Sequence, residues 1–133
     1  MTEGSPEERE REVYQFVFDK IDSVPHLEAL LLLWNSRPSK WSADDLSKRL
    51  YVDRNVARKL LEDLSRGQLI ATFPGNAEQY FYESKSAEGD HLIELVDLTY
   101  RKQVVRISTI IHSKASSAVR DFARAFRFTK ERE

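Results

Sequence analysis

Apolar residues recur at helical spacing in six stretches of this chain, and only residues 69–82 carry the shorter period of strands. The pattern centres on residues 41–82. Ser42 precedes Ala43-Asp44-Asp45-Leu46, a capping hydroxyl followed by carboxylates in the first turn, so a helix is predicted to start there. Leu46 and Leu50 stand four apart on one side, with Lys48 and Arg49 on the other. Tyr51-Val52 then turns the chain. Asp53 caps a second helix, whose Val56, Ala57, Leu60, Leu61 and Leu64 form an apolar stripe facing a core. The opposite side presents Asn55, Arg58, Lys59, Glu62 and Arg66, with Arg54 at its edge. Gly67 is expected to take the left-handed conformation that ends this helix. Strands at 69–73 and 79–82 are joined through Pro74-Gly75-Asn76, a connection read as too long for a two-residue turn and therefore as a wing.

Helices flank this centre on both sides. Ser5-Pro6-Glu7-Glu8 supplies a capping hydroxyl, a proline at the first helical position and a glutamate three residues after the cap, predicting an N-terminal helix over 6–25. Val13, Phe16, Val17, Ile21 and Val24 form its stripe, and Pro25 is read as its end. A helix over 26–37 carries Leu27, Leu30, Leu31, Leu33 and Trp34 and little polar surface, as the central helix of a small core does. Trp41 is expected on a short strand beside the wing. After a polar link at 84–89, Asp90 is read as the cap of a long helix reaching residue 113. Ile93, Tyr100 and Ile107 recur every seven residues there, with Val96, Val104, Ile110 and Ile111 filling the seam. Such a seam is roughly 36 Å long, more than the small core beneath it covers, so part of it is expected to meet a second subunit. A last helix would place Ala118, Val119, Phe122, Ala123 and Phe126 on one side and Arg120, Arg124 and Arg127 on the other. The expected division is a disordered start over 1–5, an N-terminal helix over 6–25, a core over 26–83, a link over 84–89, C-terminal helices over 90–127 and a frayed tail over 128–133.

The run Leu46-Ser47-Lys48-Arg49-Leu50-Tyr51-Val52-Asp53-Arg54-Asn55, with Leu60-Leu61-Glu62-Asp63-Leu64 and Leu69-Ile70 after it, resembles the winged helix-turn-helix of bacterial transcription regulators. In layout the chain is similar to the multiple-antibiotic-resistance regulator (MarR) family over residues 6–127, with residue motifs matching from 42 to 70. The resemblance implies a mainly α fold with a small β-hairpin wing, a winged helix-turn-helix core flanked by N- and C-terminal helices. It also implies a recognition helix from Arg54 to Arg66 in the major groove of duplex DNA, and a homodimer built by the terminal helices. Three features depart from the family pattern. Tyr51 stands where such motifs usually have glycine, and Gln68 replaces the glycine before the apolar pair, with Gly67 one place early. The wing tip, residues 74–78, has no Lys or Arg, whereas the family's wing typically carries an aspartate and an arginine for DNA.

Composition narrows the function. The chain has 133 residues, 41% of them hydrophobic, enough for one compact domain. Its formal net charge is −1, distributed as −4 over residues 1–25, zero over 26–83 and +3 over 84–133, so there is no global basic signature for nucleic acid. The absence of cysteine excludes a disulfide framework, a thiol redox sensor and thiolate zinc ligation, and fits a cytoplasmic protein. No secretory pattern is read at residues 1–5, and the longest apolar run, 29–34, is far short of the roughly 20 residues that span a bilayer, so no membrane role is expected. His26, His91 and His112 are isolated from other metal-type ligands, and four glycines leave no phosphate-binding loop. No catalytic site, metal or cofactor is therefore expected.

Arg54, Asn55, Arg58, Lys59 and Arg66 are the candidate DNA-binding residues, with Lys40, Lys48 and Arg49 as possible phosphate contacts from the flank. Against this, Glu62 lies four residues from both Arg58 and Arg66, which predicts ordinary surface ion pairs, and Asp63 adds a negative charge near any phosphate. The balanced charge and bare wing, with aromatic Phe73, Tyr80, Phe81 and Tyr82, suit an alternative: a winged-helix module that binds a protein partner and touches DNA little or not at all. A regulator gated by a small molecule is a third possibility, with no residue cluster to identify the ligand.

Overall fold

The computed structural model describes residues 5–114. The readings for 115–133, including the Phe122 and Phe126 face and Arg120, Arg124 and Arg127, lie outside the described residues. The architecture is mainly α with one two-stranded antiparallel hairpin, a winged helix-turn-helix with helices before and after it.

Helix α1, Pro6–Lys20, begins as its cap predicts, with the Glu8 amide donating to Ser5 Oγ at 3.2 Å. It stops at Lys20, short of residue 25. The reason lies in a second cap: the His26 amide donates to Ser23 Oγ at 3.3 Å, and Pro25 sits in the first turn of α2, Val24–Asn35. A proline there loses no helical hydrogen bond, so Pro25 starts a helix instead of ending one. α2 is the central helix, with Leu27, Ala29, Leu30, Leu31, Leu33 and Trp34 buried, and it ends at Asn35, before the expected residue 37.

Helix α3, Ala43–Leu50, starts with a reciprocal capping box in which the Asp45 amide donates to Ser42 Oγ and the Ser42 amide to Asp45 Oδ2, both at 3.1 Å. α4, Arg54–Arg66, packs against α3 and α2 through Ala57, Leu60, Leu61 and Leu64. Val56, read as part of this stripe, lies beyond the packed surface and is 45% exposed. Between the two helices Tyr51 is left-handed, with φ 57° and ψ 45°, which explains why related motifs favour glycine at this turn. The end of α4 corrects the reading of Gly67, whose φ is −78°; Gln68 takes the left-handed conformation at φ 63°. The Gln68 amide donates to the Ser65 carbonyl at 3.0 Å and the Leu69 amide to the Leu64 carbonyl at 2.9 Å, a Schellman closure that needs the residue after the cap to be left-handed.

Strands β1, Ala71–Phe73, and β2, Asn76–Phe81, pair Ala71 with Phe81, Thr72 with Tyr80 and Phe73 with Asn76. The tip is thus a two-residue turn, Pro74 then Gly75 at φ 87°, the arrangement of a type II turn, and not the longer loop expected. The additional residues of β2 are absorbed by an irregularity in register between Thr72 and Phe73. Trp41 bridges the outer edge, its amide donating to the Tyr80 carbonyl at 2.7 Å and its carbonyl accepting from the Tyr80 amide at 2.8 Å, as its reading as a flanking strand anticipates. Tyr80 and Tyr82 pack on the core, while Phe73 and Phe81 meet edge to face at 6.4 Å on the other side of the ribbon.

Ser86, not Asp90, caps α5, Ala87–Lys102, through the Gly89 amide at 2.9 Å. Asp90 instead accepts from the Tyr82 hydroxyl at 2.8 Å and from the Ser84 hydroxyl, tying the end of the wing to the helix. The long helix is broken at Gln103, and helical backbone resumes over 104–114, here α6. Ile107 and Ile111 are buried in the same core as Ile93, Val96, Val13, Val17 and Ile21. Lys114 Nζ donates to the Ile21 carbonyl at 3.3 Å, and Arg106 lies 4.8 Å over the Tyr14 ring, so α6 lies along α1. Most of the seam is therefore covered by this chain's own helices, against the length argument for a second subunit; Leu98, Val104 and Val105 remain exposed, the last at 79%.

Candidate nucleic-acid interface

α4 is held so that its apolar side is buried and its polar side faces outward. Its start is fixed by Asp53, whose Oδ2 accepts from the Asn55 amide at 2.9 Å. Arg54, Asn55, Arg58, Lys59 and Arg66 are all exposed, as the helical periodicity predicts. Their immediate partners lie within the chain. Arg54 Nε contacts Asp44 Oδ1 of α3 at 3.1 Å. Arg58 Nη2 donates to Asn55 Oδ1 at 3.0 Å. Lys59 Nζ and Arg66 Nη1 both contact Asp63 Oδ1, at 3.2 and 3.0 Å.

Asp63, and not Glu62, thus gathers two of the four cations of this helix. Its other oxygen bonds His26 Nε2 at 2.8 Å, and His26 Nδ1 lies 2.6 Å from Ser23 Oγ, so the carboxylate is tied to the start of α2. Burial by itself would raise the Asp63 pKa. The hydrogen bonds from His26, Lys59 and Arg66 outweigh it and hold the carboxyl below the ordinary aspartate value. Spacing alone did not point to this partner, because His26 stands 37 residues away in sequence.

Glu62 faces elsewhere. It lines a cleft of about 340 Å³ between α3, α4 and the wing, together with Asp44, Arg54, Arg58, Glu78 and Tyr80. Partial burial, followed by the charges of Glu62 and Glu78, raises the Tyr80 pKa. Three carboxylates against two guanidiniums make this cleft a poor seat for phosphate. On the outer side of α3 the balance is reversed: Lys40, Lys48 and Arg49 gather with Asp45, Ser39 and Trp41 around a shallow depression of about 430 Å³. Lys40 Nζ sits 3.6 Å over the Phe73 ring. Tyr51, 93% exposed, and Val56 are outward apolar groups beside the start of α4; their exposure was not legible from spacing, which assigns Val56 to the core. The wing tip, Pro74 to Glu78, is exposed and brings no cation.

No protein-family model and no curated protein matches this chain in sequence. Among solved structures it is similar to the heme sensor protein PefR from Streptococcus agalactiae in complex with heme, with 15% identity and a TM-score of 0.50 over 89% of this chain and 84% of that one. Heme-free PefR also aligns, with 14% identity and a TM-score of 0.46 over 89% and 90% of the two chains. At this identity what is shared with the first is the fold alone. Among the described residues no helix is long and apolar enough to cross a membrane.

Proposed function

We propose that this protein is a cytoplasmic, bacterial-type winged-helix transcription regulator that binds duplex DNA as a homodimer. The observation that carries this reading is the division of α4, with Ala57, Leu60, Leu61 and Leu64 buried and Arg54, Asn55, Arg58, Lys59 and Arg66 exposed on the other side. That is the form of a helix laid in the major groove, and Lys40, Lys48 and Arg49 of the flank supply phosphate contacts beside it. Exposed Leu98, Val104 and Val105, where α5 gives way to α6, support a dimer contact on the terminal helices. Two recognition helices held this way read half-sites about one turn of DNA apart.

Fluorescence anisotropy of a labelled genomic-fragment DNA pool, titrated with protein across a salt series, tests the reading. Binding that weakens steeply with salt is the expected result; no binding even at low salt would sink it. Sedimentation of the free protein is expected to give a dimer. A second reading, a module that binds a protein partner, is favoured by the carboxylates of Asp44, Glu62 and Glu78 in the cleft between α3, α4 and the wing and by the wing tip's lack of any cation. One stoichiometric protein partner recovered without DNA would establish it in place of the first.

A further inference from the structure

Asp63 carries the densest set of contacts on α4. One oxygen receives both Lys59 and Arg66, the other is fixed by His26, and His26 is fixed by Ser23. Ser23 is the N-cap of the most buried helix of the fold, so this carboxylate is anchored in the scaffold and does not swing with the surface. Its side chain is 16% exposed, whereas those of Lys59 and Arg66 are 67% and 68% exposed. A carboxylate offers cations the same kind of charged acceptor oxygens that a phosphate does. A phosphate reaching Lys59 or Arg66 therefore competes with Asp63 for their charge, although each cation keeps N–H donors that Asp63 does not take. Contact at these two positions is weakened by that competition, while an unpaired lysine gives up only water and counterions.

We propose that Asp63 is a positioning residue that acts as an internal substitute for phosphate, holding Lys59 and Arg66 against α4 and keeping down the affinity of the helix for DNA. The inference rests on the proposed DNA-binding function. It assigns Asp63 an opposing role to its neighbours: the four candidate cations of α4 attract the backbone, and Asp63 withholds two of them. Non-specific binding is weakened most, because a site that does not draw the two side chains off the carboxylate gains less from them.

The test is Asp63→Asn, which keeps the shape and removes the charge, with Asp63→Ser as a second neutral replacement should the first fold poorly; circular dichroism identifies the folded variants. Each is measured by anisotropy on the same duplex DNA over a salt series, in the natural background and in Lys59→Gln/Arg66→Gln. The expected result is about three- to tenfold tighter binding in the natural background, with the slope of log affinity against log salt steeper by about 0.9 for each released cation. In the double variant the gain should vanish. Unchanged or weaker binding by folded Asp63 variants, or an equal gain without Lys59 and Arg66, would overturn the inference and leave the DNA function standing. Failure of the natural protein and all variants to bind would remove the function itself, and the inference with it.

Discussion

On α4 each candidate cation meets a partner inside the chain, Arg54 at Asp44, Arg58 at Asn55, and Lys59 and Arg66 at Asp63. On the flank of α3, Lys48 and Arg49 form no ion pair among the described residues although Asp45 lines the same depression, and Lys40 lies over the Phe73 ring. A helical wheel ranks α4 as the more basic surface. The structure reverses the ranking of available charge, because a cation already facing a carboxylate adds little field at a distance. Two neighbouring helices of one motif therefore divide the work: the flank of α3 supplies attraction, and the face of α4 supplies groups whose release depends on what approaches.

The largest effect is expected from the flank. Replacing Lys40, Lys48 and Arg49 with glutamine together should lower the salt slope of DNA binding by nearly 3 and weaken binding about a hundredfold at moderate salt. The matching triple change on α4, Arg54, Lys59 and Arg66 to glutamine, should cost less in salt slope. The opposite order in the same anisotropy series would break the comparison.

The two helices also share a feature at their ends, since α3 is followed by left-handed Tyr51 and α4 by left-handed Gln68. Tyr51→Gly and Gln68→Gly should each raise the unfolding free energy by roughly 1 kcal/mol in urea titrations. Gly67→Ala should also stabilise, by about 0.4–1 kcal/mol, because φ there is negative and an added Cβ would lie 3.5 Å from its nearest neighbour, the Asp63 carbonyl oxygen. A loss of stability at Gly67 would mean that the closure of α4 is misassigned. If Tyr51→Gly gains stability and loses DNA affinity, the exposed ring belongs to the interface.

The smallest effect expected is on acid stability. The Asp63 pKa is lowered in the fold despite burial, which acts to raise it, because His26, Lys59 and Arg66 donate to the ionised form. A carboxylate with a depressed folded pKa contributes stability that is present above its unfolded value, about 3.9, and is lost as pH falls through the folded value. Asp63→Asn should therefore be less stable than the natural protein at neutral pH and should show a flatter decline below about pH 4 in thermal melts. Parallel acid profiles for the two proteins would show that the pairing contributes nothing to stability.

Reading the residues alone located the winged helix-turn-helix and the outward side of α4. Ser5, Ser42 and Asp53 each satisfy an amide two or three residues away, and the Leu60-Leu61-Leu64 spacing places one side in the core whatever packs on it. The same local logic misread Pro25, Gly67 and Asp90, because each had a neighbour that filled the capping or left-handed position better: Ser23, Gln68 and Ser86. It also misread Val56, whose burial depends on where the surface of α3 and α2 ends.

What this sequence determined by itself is what short-range forces decide, namely which segments are helical, which side of each is apolar and which chemistry the outer side of α4 carries. Only the tertiary structure decided which charges are available, because the pairing of Asp63 with His26 joins groups 37 residues apart, and the Coulomb interaction depends on their distance in space. The break at Gln103 belongs to the same class. A heptad seam prescribes that its residues be buried, and the packing of α1 against α5 and α6 decides that most of them, though not Val104, are covered within this chain.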